Sequence, residues 1–365
     1  MLHALVMAGG SGTRFWPVSR EATPKQLLKL LSDRSLLQST LDRLADLVSA
    51  DRRLVATAAV LAAPVREQLP ELSSAAILAE PCKRDTAPCI GLAALLIAAR
   101  DPEATMLVLP ADHVIRDGEA FRRAVQQAVA LVEAEPSRLI TFGIRPTYPA
   151  ESFGYLERGE PLSEQQAGGA SVAYTVLRFR EKPNAEVAQQ YLDSGNFYWN
   201  SGIFVWRART ILDALSRHQP QMMRHLKTIA AAHETADFDT VFAREFAEIK
   251  GISIDFAVME KADNVIVVEA PFDWDDLGSW QALARQRGTD ADGNTIVARH
   301  LGVKTTGTIV YSGEGAKEHL IVTVGAEDLI VVHTPDATLV AHRRDEESLR
   351  QVVKELEKRG WRQHV

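Results

Sequence analysis

The sequence predicts an α/β protein: a large domain on a mainly parallel sheet covered by helices, followed by a small strand-rich domain. Three observations carry this. Apolar runs at Ala4–Ala8, Leu54–Ala58, Ala76–Ala79, Thr105–Leu109 and Leu139–Ile144 alternate with segments of helical period. A glycine-rich turn, Gly9-Gly10-Ser11-Gly12, follows the first run. After about Gly288 the pattern changes to short strands with almost no helix between them.

Taken in order, Ala4–Ala8 reads as a buried strand, and Gly9, Gly10 and Gly12 let the backbone bend and turn bare N–H groups toward an anion. Leu37, Leu41, Leu44 and Val48 fall on one face of a following helix, as do Phe121, Val125, Ala128 and Val132 on a later one. Thr86 reads as an N-cap, with Pro88 in the first turn and an apolar run to Ile97. Strands alternating with such helices imply a parallel sheet covered on both faces.

The turn-forming segment Gly288–Asn294 marks the domain boundary, giving residues 1–288 and 289–365. Beyond it come strands at Thr295–Ala298, Gly302–Lys304, Thr308–Tyr311, Leu320–Val324, Leu329–His333 and Thr338–Ala341. Their spacing suits a small sandwich or a β-solenoid. A last helix, Glu346–Arg359, carries Leu349, Val352, Val353 and Leu356 on the face that caps the solenoid or packs across it.

Composition narrows the function. The 365 residues are 46% apolar and 24% charged, with 48 acidic against 41 basic side chains and a net charge of −7. That balance argues against a nucleic-acid-coating surface, so a polyanion must be held by local charges and the substrate is small. Apolar runs stay short of a membrane span and no leader precedes the first strand, so the expected setting is cytoplasmic, with no membrane partner. Cys82 and Cys89 are too few for a four-cysteine zinc site and are expected as free thiols.

The chemistry concentrates in a few segments. Arg14 and Lys25 add fixed positive charge beside the glycine turn, a fork and a point charge suited to a triphosphate that is both bound and cleaved. A dinucleotide fingerprint is absent, because Phe15 occupies the third glycine position and Pro17 and Pro24 keep the next segment irregular. No Gly-Lys-Ser/Thr follows for a Walker loop. Asp112, in Leu109-Pro-Ala-Asp-His113, sits at the C-terminal end of a strand, where open α/β sheets bind ligands and a metal-binding carboxylate belongs. Phe272-Asp-Trp-Asp-Asp-Leu-Gly-Ser-Trp280 crowds three carboxylates between aromatics.

The pattern Gly9 through Pro17 with Pro24-Lys25-Gln26 resembles the sugar-nucleotide pyrophosphorylases, and within them the guanylyltransferases of mannose 1-phosphate. The resemblance implies a Rossmann-like nucleotidyltransferase domain followed by a left-handed β-helix. It implies that Ala8, Gly9, Gly10, Gly12 and Thr13 line the nucleotide, with Arg14 and Lys25 acting on its phosphates. In the motif W-x-D-x-G, Trp274 and Gly278 are the anchors, making Asp276 the partner of Asp112 at one Mg²⁺; an anchor misread by one residue substitutes Asp275. Magnesium needs only one or two carboxylates when phosphate oxygens and waters complete its shell.

Further segments extend the resemblance. Phe179-Arg-Glu-Lys-Pro183 matches an element in which Glu181 meets the sugar hydroxyls and Lys182 the sugar phosphate. Asn200 lies in the sugar-binding turn Trp199–Ile203, and Phe142–Leu156 lines the sugar pocket through Gly154. Ser253–Glu260 brings Asp255 and Glu260 to touch or order the site. Glu80, Asp85 and Thr86 belong to Glu80–Pro88, which resembles the guanosine-selecting segment, although Asp85 replaces the usual Asn. A carboxylate can accept from guanine N1–H and N2–H. Asp85 could equally serve as a helix N-terminal charge.

The implied reaction joins GTP and mannose 1-phosphate, with another pair such as glucose 1-phosphate and a thymidine or uridine triphosphate as the alternative enzyme. A catalytically silent nucleotide-sugar sensor is the alternative outside catalysis, and retention of both metal carboxylates speaks against it. The chain's end at Val365 leads us to expect the short form without an isomerase half. An open solenoid edge needs covering, and a homodimer is expected.

Overall fold

The computed structural model describes residues 1–10, 12–163 and 171–365; Ser11 of the glycine turn lies outside the described residues. Two compact units emerge, Met1–Gly9 with Leu41–Ala111 and Ile115–Trp274, and Gly10–Thr40 with Asp112–Val114 and Asp275–Val365. The glycine turn and the 275–288 segment therefore group with the strand-rich C-terminal part.

The first unit is built on a nine-stranded sheet. Its strands are β1 (Leu2–Ala8), β2 (Arg53–Ala58), β3 (Ile77–Glu80), β4 (Thr105–Pro110), β5 (Leu139–Ile144), β6 (Gly154–Pro161), β7 (Ala173–Glu181), β8 (Phe197–Arg207) and β9 (Val265–Glu269), in the order β3-β2-β1-β4-β8-β5-β9-β7-β6. The parallel pairing expected from the sequence runs through β3, β2, β1 and β4 and recurs between β5 and β9. Antiparallel β8 is inserted between β4 and β5, and antiparallel β7 and β6 extend the edge beyond β9, so the sheet is mixed. Ala4, Leu5 and Val6 of β1 and Met106, Leu107 and Val108 of β4 are fully buried, as central strands covered on both faces require.

Helix Thr86–Arg100 is buried along nearly its whole length, within a core shared with Leu215, Leu226 and Phe246 of the helices Ala208–His218, Pro220–Ala232 and Phe238–Ala247. A helix apolar all round belongs inside. Its N-cap is Asp85, whose carboxylate accepts from Thr86 N–H at 2.8 Å, and not Thr86 as the sequence suggested. The Thr86 hydroxyl instead accepts from Ile254 N–H at 2.9 Å. Helix Leu36–Arg43 also ends earlier than its apolar pattern: Leu44 and Val48 are buried from successive turns. Burial, and not the helix itself, sets that periodicity. Among the described residues no helix is long and apolar enough to cross a membrane.

In the second unit, β10 (Thr295–Val297), β12 (Ile309–Ser312) and β14 (Leu329–His333) stack in parallel, and β15 (Thr338–His342) closes that sheet antiparallel. Strands β11 (Arg299–Val303) and β13 (Leu320–Val324) form a second parallel sheet. Successive passes of the chain thus add one strand to each sheet, the pattern of a β-helix. Val310, Ile321 and Val331 fill the space between the two sheets, while Ile309, Tyr311, Ile330, Val332 and Leu339, on the other face of the four-stranded sheet, pack with Phe15, Trp16, Leu28, Trp280, Leu349 and Val353. Helix Leu349–Lys358 therefore packs across the coils and onto the turn after the glycines. Outside, Leu301, Val303, Leu320, Val322 and Val324 form an exposed apolar face, each at least 47% accessible.

Candidate active site

In the second unit the residues expected to handle phosphate come together. Gly10 and Gly12 have φ of 102° and 56°, conformations that favour glycine. A Cβ on Gly12 would stand 2.7 Å from Lys25 N and Cβ, so this glycine also lets the turn lie directly on Lys25. Thr13–Phe15 then makes a single turn, closed by Phe15 N–H donating to Gly12 O at 3.0 Å, and the Ser19 hydroxyl donates to the same carbonyl at 2.7 Å. Gly10, Gly12, Thr13, Arg14, Lys25, Asp112 and Gly278 line a cavity of about 350 Å³.

Two acids far apart in sequence join through one short bridge. Val114 and Asp275 pair antiparallel, each N–H donating to the other's carbonyl at 2.9 and 3.1 Å. The bridge sets Asp112 and Asp276 around Lys25, whose ammonium lies 2.6 Å from Asp112 Oδ2 and donates to Asp276 O at 2.6 Å. Burial works against ionised Asp112, but the Lys25 charge and then His113 outweigh it and hold this carboxyl below its usual range. Burial pushes Asp276 up, helped by Asp275 and Asp112 and opposed by Lys25 and Arg14.

Asp275 spends its carboxylate locally. It accepts from Leu277 N–H at 2.7 Å and Gln286 Nε2 at 3.2 Å, with Arg285 Nη2 at 3.4 Å. Asp276 Oδ1 accepts from Gly278 N–H at 3.1 Å, and a Cβ on Gly278 would meet Asp276 Oδ2 at 2.7 Å and Arg14 Nη1 at 3.2 Å. Asp276 is thus the acid beside Arg14. Among the described residues no group of three or more His, Cys, Asp or Glu forms a closed metal cage. Asp112 at the cavity, with the Asp276 carboxylate beside its lining residue Gly278, suits a divalent cation that completes its shell with phosphate oxygens.

The first unit holds the remaining candidates. Ala8 and Gly9 end β1, where the Thr57 hydroxyl donates to Ala8 O at 3.1 Å. Among the residues expected to meet the sugar phosphate, Glu181 Oε1 lies 2.7 Å from Lys182 Nζ, and Lys182 has φ 48° just after β7. A Cβ on Gly154 would stand 2.5 Å from Glu181 Oε2, so this glycine leaves the space the carboxylate occupies. Asn200 is fixed from three directions: its Oδ1 accepts from the Thr141 hydroxyl at 2.8 Å and Gly202 N–H at 3.3 Å, and its Nδ2 donates to Asp255 at 3.1 Å. Burial, with Glu181 nearby, pushes Asp255 up to about 7. Glu260 accepts from Glu181 N–H at 3.2 Å. Asp255 and Glu260 thus act on Asn200 and Glu181 from behind.

Glu80 closes β3 with its carboxyl pushed up to about 7 by burial, and its Oε1 is a buried acceptor without a hydrogen-bond partner among the described residues. Asp85, at φ 65°, commits one oxygen to the helix cap. Arg84 is occupied elsewhere, donating to Phe246 O at 3.2 Å and Ala247 O at 2.6 Å. Both cysteines are free thiols.

The same cavity at the glycine turn is also lined by Arg350, on the helix Leu349–Lys358, a residue absent from the sequence-level set. In the sequence it was one charged position beside an apolar stripe, with nothing to connect it to the glycine turn.

Comparison with known proteins agrees with this anatomy. Residues 3–292 match the nucleotidyl transferase family, and residues 298–356 match the MannoseP isomerase/GMP-like beta-helix domain. The mannose-1-phosphate guanylyltransferase of Escherichia coli K12 is 40% identical over 100% of this chain and 75% of its own. The xanthan biosynthesis protein XanB of Xanthomonas campestris pv. campestris B100 is 39% identical over 98% of this chain and 73% of its own. A crystal structure from Thermus thermophilus, described as a mannose-1-phosphate geranyltransferase, superposes with a TM-score of 0.85 at 36% identity, covering 98% of this chain and 99% of that one. With the family match spanning most of its length and full-length relatives well above 30% identity, this chain belongs to the nucleotidyl transferase family, in the branch that carries a C-terminal β-helix.

Proposed function

We propose that the protein is a mannose-1-phosphate guanylyltransferase, converting GTP and mannose 1-phosphate into GDP-mannose and diphosphate. The observation that carries this reading is the convergence of Arg14, Lys25 and Asp112 with the glycine turn on one cavity, in a chain alike over its whole length to the Escherichia coli enzyme of that name. A phosphate oxygen of mannose 1-phosphate attacks the α-phosphorus of GTP, a new P–O bond forms, and the bond to the β-phosphate breaks with its electron pair leaving on pyrophosphate. The nucleophile is already an anion, so no general base is needed. Rate comes from alignment and charge neutralisation.

The geometry supports the following roles. Lys182 holds the sugar phosphate beside Glu181, which accepts from the sugar hydroxyls, and Asn200 presents its amide in a fixed orientation. Arg14 takes the departing pyrophosphate, and the Lys25 ammonium, with two of its three N–H bonds accounted for among the described residues, acts on the reacting phosphate. Asp112 and Asp276 would hold Mg²⁺, which when bound neutralises triphosphate charge.

Base choice rests on Glu80. Its unpartnered buried oxygen fits guanine, which presents the adjacent donors N1–H and N2–H. Uracil and thymine present one donor flanked by carbonyls, which would repel a carboxylate. The assay is a matrix of nucleoside triphosphates against sugar 1-phosphates read by pyrophosphate release. GTP with mannose 1-phosphate should dominate, and preference for a pyrimidine triphosphate would refute the base assignment. We place the enzyme in the cytoplasm as a homodimer, associated through the exposed apolar face of β11 and β13.

A further inference from the structure

We propose that Arg350 is a second arginine of the triphosphate pocket, supplied by the C-terminal helix, and that it binds the phosphates that depart as pyrophosphate. The proposal rests on the nucleotidyl-transfer reading above and extends it to the helix that follows the β-helix strands.

Arg350 lines the same cavity as Gly10, Gly12, Thr13 and Arg14. Its placement is specified by its neighbours. Leu349 and Val353 are 2% and 7% exposed, in one core with Phe15 and Trp16, so the next position, Arg350, is turned out of that core and toward the turn that holds Arg14. The helix is pinned at both ends. Before it, the buried Glu346 carboxylate accepts from Trp280 N–H, from Gln281 N–H at 3.3 Å and from Gln281 Nε2 at 3.1 Å, capping the helix that follows Asp276 and Gly278. After it, His364 O accepts from Trp16 Nε1 at 2.8 Å, and Val365 O accepts from Glu21 N–H at 3.3 Å.

The charge inventory of the cavity gives Arg350 its purpose. Lys25 is paired with Asp112, which cancels much of its field, and a triphosphate carries more negative charge than one guanidinium offsets. Two guanidinium forks can hold the two terminal phosphates by paired N–H···O bonds, which a lysine at either place could not reproduce.

The test compares Arg350→Ala, Arg350→Lys and Lys354→Ala in the full chain. Lys354 lies on the same helix, exposed and away from this cavity, and controls for general surface charge. Binding of inorganic pyrophosphate is measured by calorimetry in magnesium buffer, which needs no turnover, together with KM for GTP and for mannose 1-phosphate. Arg350→Ala should weaken pyrophosphate and raise the GTP KM about ten- to hundredfold, with the mannose 1-phosphate KM changed less than about twofold; Arg350→Lys should fall between, and Lys354→Ala should match wild type. Pyrophosphate affinity in Arg350→Ala within about twofold of wild type, or an equal loss in Lys354→Ala, would overturn the proposal. Failure of the wild-type protein to make GDP-mannose would instead sink the reaction assignment, while the pyrophosphate titration still decides Arg350.

Discussion

The Lys25 ammonium lies 2.6 Å from the Asp112 carboxylate, inside a site where only 9% of the lysine side chain is accessible. Removing the lysine leaves Asp112 without the charge that holds its carboxyl down. Because Asp112 itself is 30% accessible, solvent softens the penalty. Lys25→Ala should cost about 1–3 kcal/mol in stability by chemical denaturation, less than for a fully buried pair. It should also lower kcat by at least about a hundredfold, since a group acting on the reacting phosphate is lost. Normal turnover in a correctly folded variant would remove Lys25 from the mechanism.

Gly278→Ala tests the second acid. The added methyl collides with the Asp276 carboxylate and crowds Arg14. Overpacking of this kind costs about 1–3 kcal/mol, and here it should appear as a loss of turnover of roughly tenfold or more, with the mannose 1-phosphate KM unchanged. Asp276→Asn should abolish most activity, whereas Asp275→Asn should mainly lower melting temperature, because Asp275 bonds Leu277 and Gln286.

Gly154→Ala probes the sugar side in the same way. Its methyl would displace Glu181 Oε2, the end of a movable side chain, so the protein should fold. We expect a raised KM for mannose 1-phosphate with the GTP KM unaffected. The reverse pattern would take Glu181 out of the sugar site.

A pH dependence follows from Glu80 and Asp255, both pushed up to about 7. The folded chain keeps a proton on each that the unfolded chain releases near the ordinary carboxylate values of 4.5 and 3.8. That stabilisation is complete below those values and is lost as pH rises through about 7. Stability of the ligand-free protein should therefore fall across this window, and Glu80→Gln should remove about half of the slope. GTP binding should strengthen over the same window as Glu80 ionises, and Glu80→Gln should flatten it. A GTP affinity as pH-dependent in the variant as in wild type would exclude Glu80 as the base acceptor.

The apolar face of β11 and β13 predicts the assembly. Val322, 50% accessible in its centre, can accept a charge without disturbing the interior. Val322→Asp should turn a dimer into a monomer by light scattering, with melting temperature little changed. A wild-type monomer would refute the homodimer.

Much of this was legible in the sequence. The glycine turn, Lys25, Asp112 and the change of strand pattern near Gly288 all declared themselves, because each is a local signal: φ-permissive residues, a strand end, a shift of period. The motif anchors already favoured Asp276 over Asp275; what they did not show is that Leu277 and Gln286 consume the Asp275 carboxylate. Asp85 displaced Thr86 as helix cap because the Thr86 hydroxyl is claimed by Ile254, 168 positions away. Antiparallel β6 and β7 were hidden because a half-exposed sheet edge lacks the continuous apolar run of a central strand, and buried β8 because its pairing with β4 and β5 is set by partners far away in sequence. Arg350 was invisible for the same reason of distance.

The division of residues between the two compact units has a consequence for engineering. Glu80, Asp85, Glu181, Lys182 and Asn200, assigned above to the base and to the sugar 1-phosphate, all belong to one unit, whereas Arg14, Lys25, Asp112 and Asp276, assigned to the triphosphate and its metal, belong to the other. A library aimed at new sugar nucleotides can be confined to the first set, and variants that change substrate there should inherit an intact transfer apparatus.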